Sequence, residues 1–242
     1  MILAIASLAL IILGIWFLPP LLLRQQQIWR LVRLCTRRRA IVLTYDDGPS
    51  PETTSALVDF LAERCVKATF FMIGSRAETQ PDVVARLLVE GHEIGNHTRS
   101  HLNAWKTWPS SAMRDIRFGR QTLARLGAPP GLFRPPYGKA TLATLLEAWF
   151  HQERLAFWTI DTRDSWERPR SVADVLEMLA NAGGGVVLMH DFSFPPRGMA
   201  SHRHPEHVLE MTRAIIDFAS AQNYTLLRFG DLNDVPSQKA MK

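Results

Sequence analysis

The sequence predicts an α/β domain of alternating strands and helices, a parallel sheet or barrel, preceded by one N-terminal transmembrane helix. Two observations predict the domain. From Ala40 onward short apolar runs alternate with helical patterns, and the polar residues best suited to chemistry stand where those runs end. A third observation predicts the membrane helix, because Met1 to Leu23 contains no charged side chain. Internal repeats, low-complexity tracts and a second core are absent from the sequence. The expected organisation is an anchor over 1–23, a basic juxtamembrane segment over 24–39 and one domain over 40–242.

A helix over the first segment would reach roughly 34 Å at about 1.5 Å per residue, enough for a hydrocarbon core of about 30 Å. Pro19-Pro20 predicts a kink or an end within it. The competing reading, a cleaved signal peptide, lacks a basic start and a small-x-small site before Arg24. The net charge of +5 is local: Arg24, Arg30, Arg33, Arg37, Arg38 and Arg39 share one acid-free segment, and the remaining 22 basic residues balance 23 acidic ones. Membrane phosphates explain such a collar better than nucleic acid does, so no nucleic-acid partner is expected. Positive charge after the apolar stretch places the domain on the cytoplasmic face of a bacterial-type inner membrane. Ile28, Trp29, Leu31, Val32 and Leu34 can form an interfacial helix face, against the plainer reading of a solvated basic linker. Cys35 and Cys65 are too few and too irregular for a disulfide framework or a cysteine metal site.

The domain reads in order. Ala40-Ile41-Val42-Leu43 is a buried strand, ending near Asp46-Asp47 before a Gly48-Pro49 turn. Ser50 can cap a helix over Glu52 to Val66. A strand over 68–73 closes at Gly74, a helix runs from Pro81 to a stop at Gly91, and His92 to Asn96 is a short strand. Pro109 opens a long helix to about Leu126, whose arginines read as solvated surface. After the loop Phe133 to Gly138 come a helix over Thr141 to Gln152 and a strand over Leu155 to Asp161. A helix over Val172 to Ala182 ends in three glycines and feeds the strand Val186 to Met189, which reaches His190-Asp191. A loop, Phe192 to Pro205, precedes a helix to about Ala221 and a last strand, Thr225 to Phe229.

Asp46 and Asp47 leave a strand end on opposite sides, so one can bind a metal while the other handles protons; the bland alternative is a polar turn. His97 and His101 have the spacing of one face of a helical turn and, with a carboxylate, form a set that leaves metal positions open. Such an ion would acidify a bound water and polarise a carbonyl. His190 can protonate a leaving nitrogen, Arg134 can orient the base, and the N–H of Tyr137 can help hold an oxyanion. For His190 the alternative is a core histidine.

Five segments occur in one order: Thr44 to Ser50, His97 to His101, Arg134 to Gly138, Asp161 to Asp164, and Leu188 to His190. In these the chain resembles the polysaccharide deacetylase family, also called the NodB-homology or carbohydrate esterase 4 family, from about Ala40 to Leu232. The resemblance implies a distorted (β/α) barrel of about seven parallel strands and metal-dependent removal of N-acetyl, O-acetyl or N-formyl groups from sugars. Carried over residue by residue, Asp46 would be the general base, with Asp47, His97 and His101 the ligands of one divalent ion, usually Zn2+. Arg134 would position Asp46, Asp164 would pair with the general acid His190, and Trp166 and Leu188 would line the acyl pocket beside Tyr137. Ser165 interrupts the family's Asp-Trp pair, so either the loop bulges or Trp166 has left the pocket.

The expected function is N-deacetylation or N-deformylation of an amino sugar on a membrane- or lipid-linked glycan, with a polyprenyl phosphate carrier and membrane lipid at residues 1–39 as partners. The rivals are a periplasmic deacetylase of wall or exported polysaccharide, a non-catalytic glycan-binding module, and a hydrolase of a non-sugar amide. Arg197, His202, Arg203, His204 and His207 can bind a phosphate or second ion or belong to a solvated loop, and Trp105 and Trp108 can stack on sugar, sit at a membrane interface or simply pack.

Overall fold

A computed structural model describes residues 2–128, 130–192 and 204–233. A helix, α1 (Ile2–Arg38), leads directly into β1 (Ala40–Asp46). Then follow α2 (Thr53–Glu63), β2 (Thr69–Met72), α3 (Gly74–Thr79), α4 (Pro81–Val89), β3 (Glu93–Asn96) and α5 (Pro109–Arg125). The chain continues through β4 (Leu132–Phe133), α6 (Leu142–Phe150), β5 (Arg154–Leu155), β6 (Ile160–Asp161) and α7 (Val172–Ala182). It ends its described part with β7 (Gly185–His190), α8 (His204–Ala221) and β8 (Thr225–Leu227).

The strands form one curled parallel sheet in the order β5-β4-β3-β2-β1-β7-β6, with β8 beside the first half of β1. β1 is buried along its whole length, which is why its sequence is a near-continuous apolar run. Its pleat sorts the residues. Ile41, Leu43 and Tyr45 join the large cluster with the helices, whereas Ala40 and Val42 meet Phe71, Phe157, Val186 and Phe229 in a second cluster. The two edges, β5 and β6, are consecutive in the chain. Ala156 N–H donates to Phe133 at one end of their link and Thr159 N–H to Val186 at the other, each at 2.9–3.0 Å. The single strand expected over Leu155 to Asp161 is therefore two short ones, because the chain there crosses the barrel's seam. The short elements α3 and β4 were not expected from the sequence, being only 6 and 2 residues long.

The N-terminal expectations need correction. The helix does not stop at Pro19-Pro20 but runs through both prolines to Arg38. Among the described residues no helix is long and apolar enough to cross a membrane, which overturns the single-pass anchor and the cytoplasmic placement derived from it. The interfacial face expected at 28–34 belongs to the same helix, and there Leu31 is buried with Cys35 in the second cluster, against the domain itself. The side chains of residues 1–6 and 8–12 lie outside the described part. The basic collar also has partners within the domain. Arg38 donates to the carbonyls of Asp231 and Leu232 (2.6 and 2.9 Å), Arg30 to Asn233 (2.9 Å) and Arg39 to Gln222 (2.7 Å).

Candidate active site

The residues singled out from the sequence meet at the carboxyl ends of the strands, where parallel α/β folds place their chemistry. Asp46 closes β1, His97 follows β3, Arg134 follows β4, Asp164 comes three residues after β6, and His190 closes β7. Asp46, His97 and His190 line a cleft of about 720 Å³ with Asp47, Arg76, His101, Tyr137, Trp158, Trp166, Leu188 and Phe192, while Arg134 and Asp164 are buried beside it.

Asp46 is 4% exposed and receives a 2.6 Å hydrogen bond from Arg134 Nη1. Arg134 is wholly buried. Its Nη1 also donates to Thr44 Oγ1 (2.9 Å), its Nε donates to the Ala156 carbonyl (3.2 Å), and its guanidinium lies 4.0 Å from the centre of the Phe71 ring. Burial works against the arginine's charge and Asp46 supports it. A charge this deep needs its partner.

Asp47 adopts φ 71°, so the chain turns at the strand end and both aspartates face the cleft; the expectation that they leave on opposite sides does not hold. Asp47 Oδ1 lies 3.2 Å from His97 Nε2 and 3.1 Å from His101 Nε2. Despite these distances that buried oxygen has no aligned hydrogen bond among the described residues. His97 is fixed from behind, its Nδ1 2.8 Å from the Arg134 carbonyl, which makes Nδ1 the donor and turns the Nε2 lone pair toward Asp47. Three ligand atoms, within 4.8 Å of one another and unbonded among themselves, fit a divalent cation. Burial disfavours the charged form of Asp47, but His97, His190 and His101 outweigh it and hold the carboxyl well below its usual range. For His97, the carboxylates of Asp46 and Asp47 outweigh burial and raise its affinity for a proton. His101 goes the other way, pushed down to about 4 by burial and by His97.

The two histidines are not on a helical turn. Thr98 and His101 have left-handed φ values of 66° and 57° in an irregular loop. Asn96 makes this turn possible: its Oδ1 accepts from Thr98 N–H (2.9 Å) while its Nδ2 donates to Glu153 and to the Ile116 carbonyl. Asp115 accepts from Ser100 and Leu102, and His101 N–H donates to Thr98 Oγ1. Gly119 lets α5 press on this loop, since a Cβ there would overlap Asn96 and the Thr98 backbone. Spacing alone did not find Asn96, Asp115 or Glu153; a glycine inside a long amphipathic helix was the available signal.

Asp164, 1% exposed, accepts 2.7 Å and 2.8 Å hydrogen bonds from the backbone N–H and Nδ1 of His190, and one from Thr162 Oγ1 at 3.2 Å. Burial opposes the histidine's charge, but Asp164 first, then Asp47 and Asp46, raises it to about 10. Leu188 is buried at the cleft floor, and Tyr137, with φ 59°, sets its ring 4.6 Å from His101. Among the described residues, Tyr137 N–H meets no acceptor. Trp166 lines the cleft while 56% exposed, so the extra Ser165 has not removed it. Of the basic loop, Arg197, His202 and Arg203 lie outside the described residues, whereas His204 starts α8 and is buried. Trp105 packs, donating to Ala140 and meeting the Phe17 ring, while Trp108 is open to solvent. Asp191 was missed as a candidate. It is fully buried, accepts from Thr54 Oγ1 at 2.6 Å, and is raised to about 7 by burial and then by Asp47 and Asp46.

Residues 33–156 match the family profile described as polysaccharide deacetylase. The chain belongs to the polysaccharide deacetylase family. It is 40% identical over 157 residues, 63% of this chain and 73% of the relative, to a peptidoglycan-N-acetylglucosamine deacetylase of Bacillus cereus. To a chitooligosaccharide deacetylase of Bradyrhizobium sp. (strain ANU 289) it is 35% identical over 164 residues, 65% of this chain and 73% of the relative. Among solved deacetylase-family structures, the Bc1960 peptidoglycan N-acetylglucosamine deacetylase in complex with 4-naphthalen-1-yl-N-oxidanyl-benzamide superposes with a TM-score of 0.70 at 29% identity, covering 81% of this chain and 89% of that one.

Proposed function

We propose that the chain is a metal-dependent hydrolase that removes an N-acetyl group from an amino sugar of a glycan. The observation that carries this reading is one cleft lined by Asp46, Asp47, His97, His101 and His190, with Arg134 bonded to Asp46 and Asp164 bonded to His190. The relatives, a peptidoglycan-N-acetylglucosamine deacetylase and a chitooligosaccharide deacetylase, support an N-acetylated glycan as substrate. The catalytic unit is 40–242, with α1 braced against it.

Asp47, His97 and His101 would hold the ion, and the two imidazoles with one carboxylate suit zinc. Such an ion supplies Lewis-acid polarisation of the amide carbonyl and an acidified water. Asp46 takes the proton from the attacking water, and Arg134 holds its carboxylate aimed. Tyr137 N–H donates to the carbonyl oxygen as that oxygen gains charge. As the carbon–nitrogen bond breaks, His190 gives its proton to the leaving nitrogen, so a carboxylate and a free amine are released. Asp164 supports the imidazolium before that transfer. Leu188 and Trp166 border the space for the acyl group, and N-formyl sugars would satisfy the same chemistry.

A narrower reading, a glycan on a polyprenyl phosphate carrier, is favoured by one feature. An apolar groove of about 470 Å³ between α1 and α6 is lined by Leu23, Leu31, Leu145, Leu146 and Trp149. The test of the activity is release of acetate and free amine from N-acetylglucosamine oligomers by purified metal-loaded protein, lost in Asp46→Asn. Glycan binding without release would favour a non-catalytic module. Mass spectrometry of lipid-linked and polymeric glycans from cells carrying wild type or Asp46→Asn then decides the carrier: acyl groups retained only in polymer would refute the lipid-linked reading.

A further inference from the structure

Asp164 serves a second histidine. His204 opens α8 with its ring 1% exposed and its Nε2 3.5 Å from Asp164 Oδ2. The ring is held flat on Phe192, with centroids 4.3 Å apart and planes 12° apart, and Phe192 in turn borders the cleft and meets the His190 ring at 5.7 Å. Among the described residues, neither nitrogen of His204 has an aligned hydrogen bond. A buried imidazole with two unmet nitrogens costs stability unless one is engaged, and the carboxylate beside it, Asp164, also supports His190. A small rotation brings Nε2–H onto Oδ2, the oxygen already bonded to His190 N–H at 2.7 Å.

We propose that His204 is a positioning residue for the proton-donating pair, holding Asp164 in the orientation from which it serves His190. The inference rests on the assignment of His190 as proton donor. Each donor shared by a carboxylate spreads its charge and weakens its hold on the others. With His204 engaged, Asp164 binds the His190 Nδ1 proton less strongly, and His190 gives up its Nε2 proton more readily. The other groups acting on His190 are Asp46 and Asp47 at the end of β1 and His101 from the loop after β3; Tyr45 of β1 faces Asp164.

The experiment uses His204→Phe, which keeps the stack on Phe192 and the volume but removes both nitrogens, and His204→Gln, which returns an amide donor. The His190 imidazole is titrated by 1H–15N NMR in full-length metal-loaded protein, with kcat and KM measured beside it. The expected result for His204→Phe is a His190 midpoint raised by about half a unit or more, with kcat lower by roughly threefold to tenfold and KM unchanged. His204→Gln is expected within about 0.2 units of wild type. A midpoint unmoved or lowered in His204→Phe overturns the proposal, as does a His204→Gln that titrates like His204→Phe. Because the titration is read without turnover, an inactive wild type would refute the deacetylase reading and leave the role of His204 decided by the midpoints.

Discussion

Replacing Arg134 with methionine removes a guanidinium that is wholly shut from solvent and bonded at 2.6 Å to Asp46, 2.9 Å to Thr44 and 3.2 Å to the Ala156 carbonyl. The methionine fills part of the space on Phe71 but leaves the Asp46 carboxylate buried without its counter-charge. Breaking one side of a buried ion pair costs about 3–5 kcal/mol, and for a chain of this size each kcal/mol moves the midpoint by roughly 2–4 °C. The expected loss is therefore at least about 6 °C. The assay is denaturant unfolding of wild type, Arg134→Met, Asp46→Asn and the double variant. Asp46→Asn keeps an acceptor for Arg134 but strands the guanidinium charge, so it too should cost about 3–5 kcal/mol. In the double variant neither charge is stranded, and the cycle should show a coupling of about 1–3 kcal/mol. Zero coupling, or an Arg134→Met cost below about 1 kcal/mol, would refute the account of Asp46 as a buried carboxylate that depends on Arg134. Activity separates the roles further: Asp46→Asn should lose on the order of 10²–10⁴ in kcat, a general base's share.

Metal removal by a chelator should abolish turnover and zinc should restore it; His101→Ala should weaken zinc binding by at least on the order of tenfold by calorimetry, and an unchanged affinity would remove it from the site. In Asp164→Asn the largest influence raising His190 is gone while burial, which lowers it, remains. The alkaline limb of kcat should accordingly move to lower pH, and a limb that stays put would remove His190 as the acid. Asp191, raised to about 7 in the folded chain from an ordinary value near 4, favours folding less as pH climbs between those values. Asp191→Asn should flatten that part of the stability–pH curve; an unaltered slope in urea titrations at pH 4 to 8 would contradict the burial argument. Gly184→Ala should lower the melting temperature, because φ there is 118° and a Cβ would meet the Ala40 carbonyl; a wild-type midpoint would show that the α7–β7 turn can relax.

Residue order alone determined a good deal. The apolar run at β1, the terminal glycines after α7 and the alternation of strand and helix made a parallel α/β sheet legible, because buried strands and capped helices depend on local pattern. Asp46, Asp47, His97, His101, Arg134 and His190 were singled out from local motifs and Asp164 through the family resemblance, and each lies at or after a strand end. What depended on distance in the chain was not legible. The helical reading of the two histidines failed because Asn96 and Asp115, bonded across α5, impose a left-handed loop on them. Asp191 and His204 passed as turn and loop residues, although burial makes one a partner of Thr54 and brings the other to Asp164. The N-terminus shows the difference most plainly. Hydropathy describes what a segment avoids, but only packing shows what it meets: Ile28, Leu31 and Cys35, expected at a membrane interface or in a linker, join Val42, Phe157 and Phe229 of the domain.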